Sequence, residues 1–300
     1  MSIQAYKKQV KLLLSILPEV AKEDCFALHG GTAINLFVRD MPRLSVDIDL
    51  TYIPIEDRPT TITNINAALL RIKANAEALL PAINIQHKAE ICKLLIRHYR
   101  TEIKLEVNMV GRGLIDAPRN MPLCEHAEEE FEAFAEIPVV PLGQLYGGKI
   151  CAALDRQHPR DLFDIKYLLA NEGVTEDIKR GFLYCLLSSD RPIHEVINPN
   201  FQDQRETMEN QFAGMTAEKF DYADFEATRK QLVEAIQASL TDGDKNFLLS
   251  VAALQPDWSY FDLSEFPAVR WKLQNLNKLR SSNLGKFEAQ LECLRTTLYS

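Results

Sequence analysis

Asp47-Ile48-Asp49 concentrates more potential chemistry than any other tripeptide of the chain. From Val46 to Ile53, apolar Val46, Ile48 and Leu50 alternate with polar Asp47, Asp49 and Thr51, the period-two signature of a strand. On a strand, residues i and i+2 project from one face, so the two carboxylates stand a few ångströms apart while their apolar neighbours enter the core. Two like charges so placed are costly without a cation between them. Hard divalent cations take oxygen ligands of this kind, and Mg2+ is usually held by one or two carboxylates with substrate phosphates completing its shell. A bare D-x-D says little in a chain with 42 acidic residues among 300, so the information lies in its surroundings.

Upstream, His29-Gly30-Gly31-Thr32 closes a short strand, Phe26-Ala27-Leu28, and opens a helix over Thr32–Val38. Glycine lets backbone approach a phosphate, and the first N–H groups of a helix favour an anion. Gly30, Gly31 and Thr32 are therefore candidate nucleotide-binding residues, one helix ahead of the carboxylate pair. Gly147-Gly148 shows that the dipeptide alone is not diagnostic. His29 is either a phosphate contact or a structural histidine. Glu106, within Lys104-Leu105-Glu106-Val107-Asn108, alternates with apolar neighbours and is the natural third carboxylate; otherwise it is a solvent-facing glutamate beside Lys104. Asp47, Asp49 and Glu106 are expected to ligate two Mg2+ ions, with Mn2+ as a substitute.

These groups need a scaffold. An opening helix is expected near Ala5–Ile16 and a long one over Ile62–Leu80, ended by Pro81. Strands over Ile91–His98 and Glu102–Val110 flank Tyr99-Arg100-Thr101 and read as a hairpin. Strands interspersed with helices in this order predict an α+β domain with a mixed sheet over residues 1–140. From Pro141 the pattern turns helical, with helices expected over Leu142–Leu154, Asp161–Leu169, Glu176–Leu187, Phe225–Ser239 and Ala268–Leu279. The Glu-rich stretch 124–136 marks the junction and reads as a solvated linker or helix face. Residues 141–300 form the second domain, expected to contribute to the active-site cleft.

Within that domain Lys149, Ala153 and Arg156 share a helix face at i, i+4 and i+7, and Asp161 and Asp164 share the next one. Lys149 can serve a triphosphate as a point charge, and Arg156 or Arg160 as a forked phosphate donor. The alternative is a set of helix-surface ion pairs joining Arg156 or Arg160 to Asp161 or Asp164. Asp161 also suits the first turn of a helix. Asp164 is the stronger candidate for a site role, orienting Lys149 or the nucleophile.

Composition narrows the function classes. A net charge of -8 disfavours a protein that coats nucleic acid non-specifically. Residues 270–300 nevertheless carry six basic side chains against two acidic ones, a candidate docking surface that includes Lys272, Lys278 and Arg280. The six cysteines contain no C-x-x-C pair, which argues against a zinc site and a disulfide scaffold and predicts reduced core thiols. Trp258, Tyr260, Phe261, Phe266 and Trp271 read as core rather than as a base-stacking surface. The apolar run Leu12–Leu17 is far short of the ~20 residues that span a bilayer, so a cytoplasmic protein with no membrane partner is expected.

The segment from Gly30-Gly31-Thr32-Ala33-Ile34 through Arg43-Leu44-Ser45-Val46-Asp47-Ile48-Asp49-Leu50, then Lys149-Ile150-Cys151-Ala152-Ala153, Arg156 and Arg160-Asp161-Leu162-Phe163-Asp164, resembles the AbiEii/AbiGii toxin family of nucleotidyltransferases. These belong to the DNA polymerase β-like superfamily. The matching motifs cover about residues 26 to 170. The resemblance implies a nucleotidyltransferase-type mixed-sheet core with flanking helices, followed by a helical C-terminal lobe. It further implies a type IV toxin–antitoxin system with links to phage defence, a cognate AbiEi-type antitoxin encoded nearby, and an RNA acceptor, since related MenT toxins add nucleotides to the 3′ end of tRNA. Gly30, Gly31, Asp47 and Asp49 fall on the family's first motif, Lys149 on its second-half lysine, and Asp161 and Asp164 on its Arg-Asp-x-x-Asp. Gly31 stands where many members have Ser, which leaves open which groups hold the triphosphate.

Together these readings predict a metal-dependent enzyme that moves NMP from an NTP to an acceptor, with Asp47, Asp49, Glu106, Lys149 and Asp164 as the catalytic set. Gly30, Gly31, Thr32, Lys149, Arg156, Arg160 and Asp161 form the nucleotide-binding set. The rival readings are transfer to a protein or small molecule, and a non-catalytic nucleotide-binding module of the same fold.

Overall fold

The computed structural model describes residues 3–299 and divides into two compact units. The first comprises Met1–Pro141 together with Met208–Lys219, and the second Leu142–Thr207 together with Phe220–Ser300.

The first unit opens with α1 (Ile3–Val20), whose apolar stripe of Val10, Leu13, Leu14 and Leu17 is fully buried. It continues through β1 (Phe26–His29), α2 (Gly30–Ala33), β2 (Asp47–Tyr52), α3 (Arg58–Leu79), β3 (Ile83–Lys88), β4 (Lys93–His98) and β5 (Thr101–Asn108). It closes with β6 (Arg119–Pro122), α4 (Glu125–Phe131) and β7 (Glu136–Val139). The strands make one seven-stranded mixed sheet in the order β3-β4-β5-β2-β1-β7-β6. β2 with β5 and β1 with β7 run parallel, and the other neighbours antiparallel. Ile48, Leu94, Ile96, Ile103 and Leu105 are each almost wholly buried, on the sheet that α1 and α3 pack against. Their alternating neighbours, Asp47, Asp49 and Glu106 among them, stay partly accessible on the opposite face. α3 starts at an aspartate cap, Asp57 accepting from the Thr60 N–H, with Pro59 in its first turn.

Three strands escape the sequence reading. β3 buries only Ile85, β6 is an exposed edge strand, and β7 carries Pro138 within the acidic stretch. That stretch is no linker: it supplies α4, whose Ala127 and Phe131 are buried, and then β7 of the sheet. β4 begins at Lys93 rather than Ile91, because Ala89–Ile91 forms a tight turn ended by Cys92 in the left-handed region. The helix expected at Thr32–Val38 widens after Ala33 into a π-turn over Ile34–Val38, the Arg39 N–H reaching the Ile34 carbonyl.

The second unit is all helix: α5 (Leu142–Asp155), α6 (Pro159–Asn171), α7 (Glu176–Ser188), α8 (Ile193–Ile197), α9 (Arg205–Thr207), α10 (Tyr222–Ser239), α11 (Asp242–Ala252), α12 (Pro267–Ser282) and α13 (Leu284–Tyr299). α5 and α7 cross at backbone contact, where a side chain on Gly181 would overlap the Gly143 carbonyl. The thiols of Cys151 and Cys185 donate across this crossing to the carbonyls of Phe182 and Gln144, and burial pushes the Cys185 thiol up to about 12. All six cysteines are free thiols, and Cys293 is exposed, contrary to a uniform core reading. Trp258, Tyr260 and Phe261 pack around buried Phe247, but Tyr260 and Trp271 are about half exposed, contrary to a uniform core reading of these aromatics. Residues 208–219 depart from a single cut near residue 140. In the first unit they touch the loop before β2, the Leu44 N–H donating to Met215 and Thr216 Oγ1 to Pro42. No helix among the described residues is long and apolar enough to cross a membrane.

Candidate active site

Sheet register assembles the first-unit site. Lys93, Glu106, Asp49 and His29 lie directly opposite one another across β4, β5, β2 and β1, a row on one face. Asp47 sits opposite Lys104 in the next row. Asp49 and Glu106 thus come from strands far apart in sequence yet are nearest cross-strand neighbours. The Glu106 carboxylate is ion-paired with the Lys93 ammonium, not with Lys104.

The Gly-Gly turn is built against this row. Gly30 has φ of +74°, and a β-carbon there would also overlap the Asp49 carboxylate, so only glycine fits. A β-carbon on Gly31 would lie 2.7 Å from an Nη of Arg43 and 3.0 Å from Ser45 Oγ. The guanidinium of buried Arg43 therefore fills the space a serine side chain would take at Gly31. Thr32, fully buried, donates its hydroxyl to the Asp47 carbonyl at 2.5 Å, with Ser45 Oγ 3.0 Å away. Its hydroxyl thus ties the turn to the carboxylate strand. Asn35 Nδ2 donates back to the Gly31 carbonyl and steadies the turn from the π-segment.

Asp47, Asp49 and Glu106 offer only carboxylate oxygens on one face, a donor set that suits a hard divalent cation. Among the described residues, however, no three His, Cys, Asp or Glu side chains converge closely enough to hold a metal. Glu106 is not preassembled with the aspartates: the Lys93 ammonium holds one of its oxygens and competes with a metal for that carboxylate.

In the second unit Lys149 Nζ lies 2.8 Å from Asp161 Oδ1 and 3.0 Å from Asp164 Oδ2, all three side chains nearly excluded from solvent. Arg156 grips Asp161 with Nε at 2.6 Å and Nη2 at 3.1 Å, while 59% of its side chain stays exposed. Burial by itself would raise the Asp161 carboxyl, but the charges of Lys149 and Arg156 outweigh it and hold it well below the usual carboxylate range. The α5–α6 turn that sets this geometry is pinned by Gln157, buried with φ of +51°, whose amide accepts from the Gln202 N–H and from Arg229. His158 then caps α6 by accepting from the Arg160 N–H.

A family model for the nucleotidyl transferase AbiEii toxin of type IV toxin–antitoxin systems matches residues 11–275. The chain belongs to this family. No curated protein matches it. Among solved structures the AbiEii chain is similar to MenT4, a nucleotidyltransferase toxin from Mycobacterium tuberculosis H37Rv. TM-score is 0.59 at 13% identity, over 90% of this chain and 93% of that one, a likeness of fold. The protein is accordingly a nucleotidyltransferase of the toxin type with an α+β fold.

On this AbiEii scaffold the structure sets Asp49 against Gly30 and opposite Glu106, with Asp47 one row on, and within the helical unit clusters Lys149, Arg156, Asp161 and Asp164. Arg160, partly exposed, stands in the first turn of α6. The pairing of Arg156 with Asp161 matches the ion-pair alternative, but the Lys149 cluster is interior rather than on a helix surface. Lys93 escaped the sequence reading: its alternation with Leu94 is visible in the chain, but its place beside Glu106 is a matter of register. The basic C-terminal surface also needs correction. Lys272 is buried and donates to the carbonyls of Ser189 and Arg191, while Arg270, Lys278, Arg280, Lys286 and Arg295 are exposed.

Proposed function

We propose that this AbiEii-family chain transfers a nucleotide from an NTP to RNA, the 3′ end of tRNA in the cytoplasm, with Mg2+ as cofactor and an AbiEi-type antitoxin as its partner. The observation that carries the reading is the Asp47/Asp49 pair on one strand face, with Asp49 opposite Glu106 and against Gly30. A divalent ion held there would neutralise the triphosphate and acidify the acceptor hydroxyl. The chain's own part is positioning. Gly30 and Gly31 let backbone N–H groups approach the phosphates, and the Arg43 guanidinium lies beside the turn where a serine hydroxyl would otherwise stand, supporting a role as phosphate donor. Thr32 fixes the turn to β2. Of the helical-unit residues, exposed Arg156 and partly exposed Arg160 are the phosphate-binding candidates. Lys149, Asp161 and Asp164 act as positioning residues that hold Arg156 and the α5–α6 pair.

Incubating the protein with each labelled NTP, Mg2+ and total cell RNA or protein tests this. Label is expected in the tRNA fraction and absent with Asp47→Ala, whose melting temperature should match the unaltered protein's. Undiminished labelling by Asp47→Ala would sink the site assignment, and label confined to the protein pool would replace RNA by a protein acceptor.

A further inference from the structure

A cavity of about 180 Å3 lies in the helical unit, bounded by residues 189–194, α12 and α13. Its lining is largely apolar, with Ile193, Leu276, Phe287 and Leu294, and half-exposed Trp271 forms part of its wall. Buried Lys272 is set into the same wall.

Three lysines are buried in this unit among the described residues, and two of them are compensated. Lys149 has Asp161 and Asp164 at 2.8 and 3.0 Å, and Lys179 has Glu176 and Asp244 at 2.9 and 3.2 Å. Lys272 has only neutral partners at such distances, the carbonyl oxygens of Ser189 at 2.7 Å and Arg191 at 2.8 Å. An ammonium has three N–H donors, and the carbonyls account for two. A buried charge without a counter-charge is unfavourable, and the protein's usual response is a shifted pKa. Burial does bring the Lys272 ammonium down to about 8, against weaker opposing pulls from Cys151 and Asp190. Of the other charged groups at the cavity, Asp190 is exposed and makes no ion pair with Lys272, and the rest are committed elsewhere or resist charging. Arg191 reaches Asp155 and Glu195, burial lowers His194, and burial holds the Cys151 thiol well above its ordinary value.

We propose that this cavity binds a small organic anion, a carboxylate or a phosphate monoester. Its head group supplies the missing counter-charge to Lys272, and its planar apolar body lies against Trp271. An apolar pocket with one convergent charged group is the general form of a small-molecule site. The proposal does not draw on the carboxylate row and stands whether or not the acceptor is RNA.

Titration calorimetry on the full chain tests this with three probes of one shape: phenylacetate, phenyl phosphate and neutral phenylacetamide. Measurements at about pH 8 in two buffers of different ionisation heat report protons, because an anion raises the Lys272 pKa and draws a proton onto the amine. At least one anion should bind saturably with proton uptake, and the amide should bind at least about tenfold more weakly. Lys272→Met should weaken the anion at least tenfold and abolish the uptake; should that variant fail to fold, proton uptake by the unaltered protein decides alone. Which anion binds distinguishes a carboxylate from a phosphate ligand. The proposal is overturned by no saturable binding of either anion up to about 10 mM, the weakest affinity expected at this size. Amide binding as tight as the anions', anion binding without proton uptake, or full anion affinity in a folded Lys272→Met would overturn it equally.

Discussion

Lys149→Met is expected to destabilise the helical unit by about 3–5 kcal/mol, the usual cost of removing one partner from a buried ion pair. Methionine keeps most of the lysine stem, so the loss is chiefly electrostatic. What remains is Asp161, still held by Arg156, and Asp164 without its lysine, both nearly excluded from solvent. One of them must then take up a proton or draw water into the α5–α6 contact. At roughly 2–4 °C per kcal/mol for a unit of this size, the melting temperature should fall by about 6–20 °C. Adding Asp164→Asn removes the carboxylate that has lost its lysine and should recover about half of the loss, about 1.5–2.5 kcal/mol. Circular-dichroism melts of the four proteins at neutral pH close the cycle. A Lys149→Met protein within about 1 kcal/mol of the parent, or a double variant no more stable than the single, would refute the reasoning. Labelling assays on the double variant add a second axis. Transfer that returns with stability makes Lys149 a positioning residue, whereas transfer that stays lost makes it a substrate contact.

Gly30→Ala should cost about 1–2 kcal/mol for its left-handed backbone and, by displacing the Asp49 carboxylate it abuts, lower transfer about a hundredfold; melting and initial rates measure the two separately. Lys93→Met removes the competitor for Glu106, worth about 0.5–1 kcal/mol for a partly exposed pair. The half-saturating Mg2+ concentration for transfer should therefore fall about two- to fivefold, and an unchanged or higher value would remove Glu106 from the metal site. The Asp161 carboxyl is depressed in the folded state, so its stabilisation is complete above the unfolded pKa of about 4 and is lost as pH falls through the lower folded value. Melting temperatures titrated downward should show this loss only below about pH 3–4, and Asp161→Asn should flatten it.

Much of the candidate site's carboxylate strand was legible because its signals are local. Alternation in β2 and β5 identifies which side chains share a face, and Gly30 marks the strand-to-helix turn whatever the rest of the chain does. β3, β6 and β7 were illegible for the complementary reason: a two-sided edge strand, a short exposed strand and a strand with a proline carry little apolar alternation. Lys272 misled because a charged residue in a basic helix reads as surface, and only the packing around α12 shows that its stem and head are enclosed.

By itself the sequence determined the chemistry on offer: two carboxylates on one strand face, a glycine turn ahead of them, and a lysine and arginine one helix before a pair of aspartates. Those are short-range facts, set by strand and helix periods. Tertiary structure decided which charges meet. Parallel pairing of β2 with β5 put Glu106 beside Asp49, the β4–β5 hairpin gave Glu106 to Lys93, and the α5–α6 turn enclosed Lys149 between Asp161 and Asp164. Register and burial arise from the joint packing of the core, and the energies of these ion pairs depend on them. No local pattern encodes the partner of a charge that is reached across the fold.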